Sequence, residues 1–183
     1  MQAGDELAVL AETARLREEL SYAARTPRRW YGLLRRSTFA RVIQGSNSIE
    51  GYNVTVDDAM AAVEGEDPID QKNEAWMAVS GYRTAMTFVL QKAEDQFFSF
   101  SAELLKALHF MMVGYDLKRN PGRWRPGPIY VRDESTGEQV YEGPAWEMLP
   151  GLLDEFLADL NAVDSTPPLV RAAMAHLNLV MIH

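Results

Sequence analysis

The sequence predicts a mainly α-helical protein with a single β-hairpin. Apolar residues recur at helical spacing along most of the chain. Ser, Thr, Pro and Gly residues mark the starts and ends of these periodic stretches. One short stretch, residues 129–141, instead shows the pattern of two β-strands around a turn. A chain of 183 residues without internal repeats has the length of one domain, so we expect residues 1–183 to form a single domain.

Composition excludes several classes of function. The chain has no cysteine, which removes disulfides, thiol catalysis and cysteine zinc sites, and only three histidines, which argues against a histidine-rich metal site. We therefore predict no metal ligands. The N-terminus is acidic and lacks the basic-then-apolar order of a signal peptide. We expect a cytoplasmic protein that does not bind membranes.

Charge is distributed unevenly. The stretch from Arg15 to Arg41 holds eight of the 18 basic residues and only two acidic ones, Glu18 and Glu19, so it carries +6 while the rest of the chain carries −14. A basic stretch can bind nucleic acid. Arginines on a solvated helix face are the commoner explanation, and we favour that interpretation.

The first half of the chain predicts four helices, each with a recognisable start or stop. Thr26 and Pro27 form a cap-then-proline start, Gly51 a C-cap, and Thr55 an N-cap, while Gly65 to Pro68 breaks the pattern. The predicted helices span Asp5–Ala24, Thr26–Glu50, a short segment after Thr55, and Ile69–Ala93.

The second half predicts three more helices and the hairpin. Ser101 caps a helix from Ala102 to Val113, which Gly114 ends, and residues 115–128 form a loop. Strands at 129–132 and 139–141 flank a turn at 134–137. An amphipathic helix then follows Pro150 and ends before the Ser165–Pro168 break.

The last stretch, TPPLVRAAMAHLNLVMIH (166–183), predicts the central helix of the domain. Thr166 can cap it and Pro167 suits its first position. The residues that follow are apolar almost all round, which is typical of a helix buried on every side. The helix stops at His183 without a glycine, a basic last turn or a proline, so we expect the sequence to be interrupted within a longer motif.

The residues alone support little chemistry. The chain has no phosphate-binding glycine loop, no dinucleotide fingerprint and no metalloprotease motif. Taken singly, His183 is more often a core histidine than a catalyst, Glu50 is an ordinary residue at a helix end, and His109 packs among leucines and methionines.

Three separated stretches nevertheless resemble the Fic family (filamentation induced by cAMP), whose members mostly transfer AMP from ATP to a hydroxyl of a target protein. SNSIEG (46–51) matches the family's inhibitory motif. GRWR (122–125) and the hairpin that follows are similar to its arginine-containing loop and flap. PLVRAAMAH (168–176), running on to MIH (181–183), resembles the helix that delivers the first histidine of the Fic signature. The three occur in the family's order.

The resemblance implies a Fic-fold helical bundle with one hairpin flap. Residues 5–65 would be N-terminal helices carrying the inhibitory motif, and residues 66–183 a Fic core that is incomplete at its C-terminus. The chain stops on the first residue of the signature, so the loop that holds phosphates and Mg²⁺ is not in the sequence. We expect ATP and Mg²⁺ to serve the full-length parent, and the chain as given to bind neither and to be inactive.

The resemblance also assigns roles to individual residues. His183 would be the general base that deprotonates a Ser, Thr or Tyr hydroxyl of the target protein. Glu50 would inhibit by pairing with a signature arginine, with Ser46 and Gly51 completing the inhibitory motif. The flap residues Ile129, Tyr130 and Val131 would contact the target as an added strand. No cofactor-binding residue is assigned.

Two other classes of function stay open. Fic domains often accompany DNA-binding segments, so the protein could be a DNA-associated regulator that uses its basic stretch. It could also be a catalytically inert Fic-like binding module. Fic proteins commonly self-associate, although no stripe in the sequence identifies an interface between copies.

Overall fold

The computed structural model describes residues 3–24, 31–66 and 73–182. Within these ranges the chain is mainly helical with one antiparallel hairpin, which confirms the predicted fold class. The elements are α1 (Ala3–Ala24), α2 (Tyr31–Ile49), α3 (Val56–Glu64), α4 (Glu74–Lys92), α5 (Ala102–Val113), β1 (Tyr130–Arg132), β2 (Gln139–Glu142), α6 (Leu149–Asn161) and α7 (Pro168–Ile182). Short 3-10 turns lie at Leu117–Arg119 and Trp146–Met148.

The chain forms two compact units, Met1–Phe39 and Ala40–His183. The second unit begins within α2 and contains every described residue of the predicted site. The expected single domain, with its division between residues 65 and 66, stays a prediction. No helix in the described ranges is long and apolar enough to cross a membrane.

The core of the second unit is centred on α6. Its inward face contributes Leu149, Leu153, Phe156 and Leu157, each at most 8% exposed. Residues of α5, the following loop and α7 pack against this face, among them Leu105, Trp124, Ala175, Leu179 and Ile182. Burial of these side chains supplies the main stabilising free energy of the unit.

Local capping signals fix most helix ends where they were predicted. Thr55 forms a capping box with Asp58 at the start of α3, and Ser101 accepts from the Leu104 N–H at the start of α5. The predicted start of α4 at Ile69 is wrong. Asn73 has an extended backbone and its side chain accepts from the N–H groups of Ala75 and Trp76, so α4 begins at Glu74. The predicted residues 69–72 lie outside the described residues.

Helix α7 differs from its prediction in two ways. It begins at Pro168, because the carbonyl of Pro167 accepts from the Arg171 N–H and Pro167 is therefore the residue before the helix. It is also not buried on every side. One face packs on α6, while Leu177 and Val180 on the other face are 52% and 56% exposed, and no described residue of α7 is fully buried.

The hairpin follows its predicted pattern. Tyr130 pairs with Glu142 and Val131 with Tyr141, and an irregularity lies between Val131 and Arg132. The carboxylate of Asp133 accepts from backbone N–H groups of the turn, and Gly137 has a φ of 73°. This left-handed conformation explains why glycine occupies the end of the turn.

The close approach of α4 and α5 yields a test of the fold. A Cβ at Gly81 would lie 2.4 Å from the carbonyl oxygen of Met112, whereas a Cβ at Gly45 in α2 would meet no atom within 4 Å. We expect Gly81→Ala to lower the free energy of unfolding by about 1–3 kcal/mol through overpacking. The control Gly45→Ala should raise it by about 0.5–1 kcal/mol, since it only improves helix propensity. Denaturant melts of both variants measure this difference, and equal effects would contradict the packing.

Candidate inhibitory and target-binding site

The predicted inhibitory motif, residues 46–51, forms the C-terminal end of α2 and the turn that follows it. Gly51 has a φ of 85°, its N–H donates to the Ser48 carbonyl at 3.1 Å, and the Tyr52 N–H donates to the Asn47 carbonyl at 3.0 Å. This is the Schellman arrangement, in which glycine takes the left-handed position after the helix. The structure therefore gives Gly51 the C-capping role that the sequence predicted. Glu50 lies immediately before this turn and is exposed.

The end of α2 lines a cavity of about 320 Å³ between α2, α4 and the end of α5, which we call the α2 cavity. Its polar lining comes from Ser46, Asn47, Glu50, Tyr52, Tyr82, Tyr115 and Arg119. Ser46 is half-buried and donates from its hydroxyl to the Tyr82 hydroxyl at 2.9 Å. The Glu50 side chain makes no hydrogen bond or ion pair with any described residue. Among the described residues, its carboxylate has no partner.

A network of polar side chains borders the same cavity. The Tyr52 hydroxyl lies 3.0 Å from the Tyr115 hydroxyl and donates to the Glu74 carboxylate at 3.4 Å. Arg119 donates to Glu74 at 2.8 Å and to Asp116 at 3.3 Å. We call Tyr52, Glu74, Tyr115 and Arg119 the tyrosine network.

Strand β1 of the flap presents a backbone edge that pairs with no described strand. The Ile129 carbonyl accepts from the Gly143 N–H at 3.0 Å, so Ile129 is turned towards β2. Because neighbouring residues of a strand point their backbone groups in opposite directions, Tyr130 presents its N–H and C=O to the free side of β1. The side chains of Tyr130 and Val131 are 46% and 54% exposed. Ile129 is only half-exposed, since its side chain packs over Gly143.

The base of the flap is joined to the last turn of α7. Arg125, only 8% exposed, donates from Nη1 to the Gly127 carbonyl at 2.6 Å, from Nη2 to the Pro144 carbonyl and from Nε to the Ile182 carbonyl at 3.2 Å. The Tyr141 hydroxyl donates to the Met181 carbonyl at 2.6 Å. The residue before His183 is therefore held against the flap. His183 itself lies outside the described residues.

Sequence reasoning treated Arg125 as one residue of a matching loop and His109 as a packing residue. His109 also accepts a hydrogen bond at Nδ1 from the Gly122 N–H at 3.3 Å, so α5 holds the loop that carries Arg125. Desolvation by burial lowers the pKa of His109, which favours the neutral ring, whose Nδ1 can accept this hydrogen bond. The sequence gives no signal of the His109 contact or of the Arg125 contacts, because the residues that they join become neighbours only when the chain folds.

The structure does not join the two groups of predicted site residues directly. No hydrogen bond or ion pair in the described part of the chain connects Glu50 with the flap or with α7. The residues present also do not fit a nucleotide phosphate group. Arg119, the guanidinium that lines the α2 cavity, is already paired with Glu74 and Asp116, and no three acidic or histidine side chains of the described ranges are grouped to hold Mg²⁺.

The basic stretch is only partly described, since residues 25–30 lie outside the described ranges. Within α1, Arg15 donates to Glu12 at 2.6 Å and to Glu19. This guanidinium is paired along its own helix, as in a solvated helix face. Binding of nucleic acid by this stretch stays a prediction.

The fold is similar to that of a solved protein. The crystal structure of a Fic domain-containing signalling protein from Bacteroides thetaiotaomicron matches with a TM-score of 0.67 at 18% sequence identity. The match covers 85% of this chain and 57% of that protein, so the chain spans little more than half of its length. No protein-family model matches the sequence. The likeness shows that the helices and the hairpin adopt a Fic-like fold.

The His109 contact predicts a pH dependence of stability. The folded-state pKa lies below the unfolded value of about 6.5, so the unfolded chain binds more protons in mild acid. This contribution to stability is present above that value and is lost as the pH falls below it towards the folded-state pKa. Asparagine at position 109 keeps an acceptor near the same place but does not titrate.

We therefore expect the melting temperature of the wild type to fall more steeply between about pH 7.5 and about pH 5.5 than that of His109→Asn. Thermal melts in matched buffers measure the difference. Parallel curves would show that the His109 proton does not contribute to the pH dependence.

Proposed function

We propose that the chain is the target-binding and self-inhibiting part of a Fic-type protein that transfers AMP from ATP to a Ser, Thr or Tyr hydroxyl of a target protein. The observation that carries the proposal is the junction at the end of α7. There Arg125 of the loop binds the carbonyl of Ile182, and Tyr141 of the flap binds the carbonyl of Met181. Met181 and Ile182 are the two residues that precede His183. The Fic-like fold and the motif at the end of α2 support the same activity.

In this proposal, His183 is the general base. A histidine side chain in water has a pKa of about 6.5, which suits a residue that removes a proton at neutral pH. The target hydroxyl gives its proton to His183 while its oxygen forms a bond to the α-phosphorus of ATP. The bond between that phosphorus and the β-phosphate bridging oxygen breaks, and pyrophosphate leaves. Donors for the phosphates come from outside the described residues.

The flap aligns the target. Backbone pairing with the free side of β1 positions an extended segment with little demand on its sequence. The exposed side chains of Tyr130 and Val131 contact that segment, and Ile129 supports the strand from beneath through its packing on Gly143. Because the flap base is bound to the last turn of α7, a target held there lies near Ile182, the residue that precedes His183 in the sequence.

Glu50 inhibits the transfer. Its carboxylate is exposed and has no partner within the described ranges, so it can pair with a cationic group of the nucleotide site and repel the triphosphate. The role rests on the family resemblance of the motif. The free carboxylate at the α2 cavity is the structural feature that supports it.

The first test is Glu50→Gly in the native gene product. Removal of the carboxylate should raise the rate of AMP transfer to a protein hydroxyl by about tenfold or more, the effect of one charge-assisted interaction. Incorporation of radiolabelled AMP from α-labelled ATP measures the rate. Glu94→Gly, which changes an exposed glutamate after α4, is the matched control and should leave the rate unchanged.

If Glu50→Gly is no more active than the wild type, the inhibitory role is wrong. If neither protein incorporates label from ATP with any target tested, the proposed AMP transfer is also wrong, and a binding role replaces it.

The flap allows a separate test of target binding. Proline at Tyr130 removes an N–H that points to the free side of β1, while proline at Glu142, the residue paired with Tyr130, removes the equivalent outward N–H of β2. We expect Tyr130→Pro to weaken target modification by about fivefold, the effect of one lost hydrogen bond, and Glu142→Pro to have little effect. Labelling rates at subsaturating target compare the two. The reverse order would place the target on β2.

A further inference from the structure

The C-terminal end of α2 is attached to the rest of its unit by tyrosine hydroxyls on both sides of Glu50. Ser46, one turn before Glu50, donates to the Tyr82 hydroxyl of α4. Tyr52, two residues after Glu50, caps α2 with its backbone N–H and reaches Tyr115 and Glu74 with its hydroxyl. All three tyrosines line the α2 cavity together with Glu50.

The direction of each hydrogen bond in the tyrosine network follows from the protons that its members carry. Tyr52 has a single hydroxyl proton, which it donates to Glu74. The hydrogen bond between the two tyrosines is then donated by Tyr115. Arg119 donates to the same Glu74 oxygen and holds that carboxylate in place. The chain of donors thus runs from Tyr115 through Tyr52 to a carboxylate held by an arginine.

Glu50 depends on these attachments because it has few contacts of its own. Its N–H donates to the Ser46 carbonyl over a long 3.4 Å, and its side chain has no partner in the described part of the chain. Burial and the hydrogen bond with Tyr52 raise the pKa of Tyr115, so its hydroxyl stays a neutral donor throughout the physiological range. The orientation of the last turn of α2 is therefore set by the residues that flank Glu50.

We infer that Tyr52, Tyr82 and Tyr115 are positioning residues that aim Glu50 from the end of α2, so that loss of their hydroxyls relaxes inhibition without removing the inhibitory carboxylate. This inference rests on the proposed inhibitory function of Glu50. If the tyrosines had a purely structural role, loss of their hydroxyls would alter the stability of the protein. The effect of that loss on AMP transfer would then not depend on whether Glu50 is present.

The first experiment measures the order of the α2 end without any need for activity. Since the chain has no cysteine, Ile49→Cys, at a position 85% exposed, provides a unique thiol for a nitroxide spin label. We expect the label to become more mobile when Tyr52→Phe or Tyr82→Phe is added. Thr84→Val is the control, because the Thr84 hydroxyl bonds only within α4. Unchanged mobility in both tyrosine variants would overturn the inference, whatever Glu50→Gly does.

The second experiment separates positioning from stability through the dependence on Glu50. In the native gene product, each Tyr→Phe change should raise AMP transfer by about fivefold, as expected for one lost hydrogen bond. The same change should bring no further gain in a Glu50→Gly background. An equal gain in both backgrounds would overturn the inference. If Glu50→Gly itself brings no gain, the proposed inhibition fails, and with it the regulatory meaning of the tyrosines, while label mobility still reports their ordering role.

Discussion

The guanidinium of Arg125 is buried with no carboxylate partner among the described residues, yet three backbone carbonyls surround it. Burying a charge is unfavourable unless hydrogen bonds replace its hydration, and charge-assisted bonds to carbonyls do so here. One of them is the carbonyl of Ile182 at the end of α7, where the helix dipole places partial negative charge. Because a single rigid group binds the loop, the flap base and α7 at once, these three elements hold a fixed geometry around the residue that precedes His183.

The flap illustrates what that geometry provides. An isolated two-stranded hairpin is marginally stable in water. Here Arg125 and Tyr141 secure its base, while the outward-facing half of β1 keeps its backbone groups free. A hairpin that is held at one side and open at the other is suited to receive a third strand. The exposed apolar side chains of Tyr130 and Val131 favour an extended protein segment as that strand over a small molecule.

Capping residues in the sequence predicted those helix ends that are fixed by contacts within one turn. Thr55, Ser101 and Gly51 were placed from the sequence because a cap satisfies backbone groups within one turn of its own residue. Asn73 was missed although asparagine is a common cap, because the helix was predicted to begin directly after the Gly65–Pro68 break. Burial of α7 was overestimated because an apolar composition does not show which face finds a partner. The contacts of Arg125, His109 and the three tyrosines join residues far apart in the sequence, so the fold alone reveals them.

The placement of Glu50 itself argues for function. The C-terminal end of a helix favours cations, because its last carbonyls carry partial negative charge. The last turn of α2 nevertheless holds no basic residue. Glu50 instead adds a carboxylate immediately after that turn, without a partner in the described part of the chain and within reach of solvent. Stability gives no reason for an acid at this position, and the neighbouring Schellman turn needs only Gly51 and an amide at Tyr52. An exposed carboxylate at an unfavourable site, without a partner among the described residues, fits the inhibitory contact with a cation that we propose for Glu50.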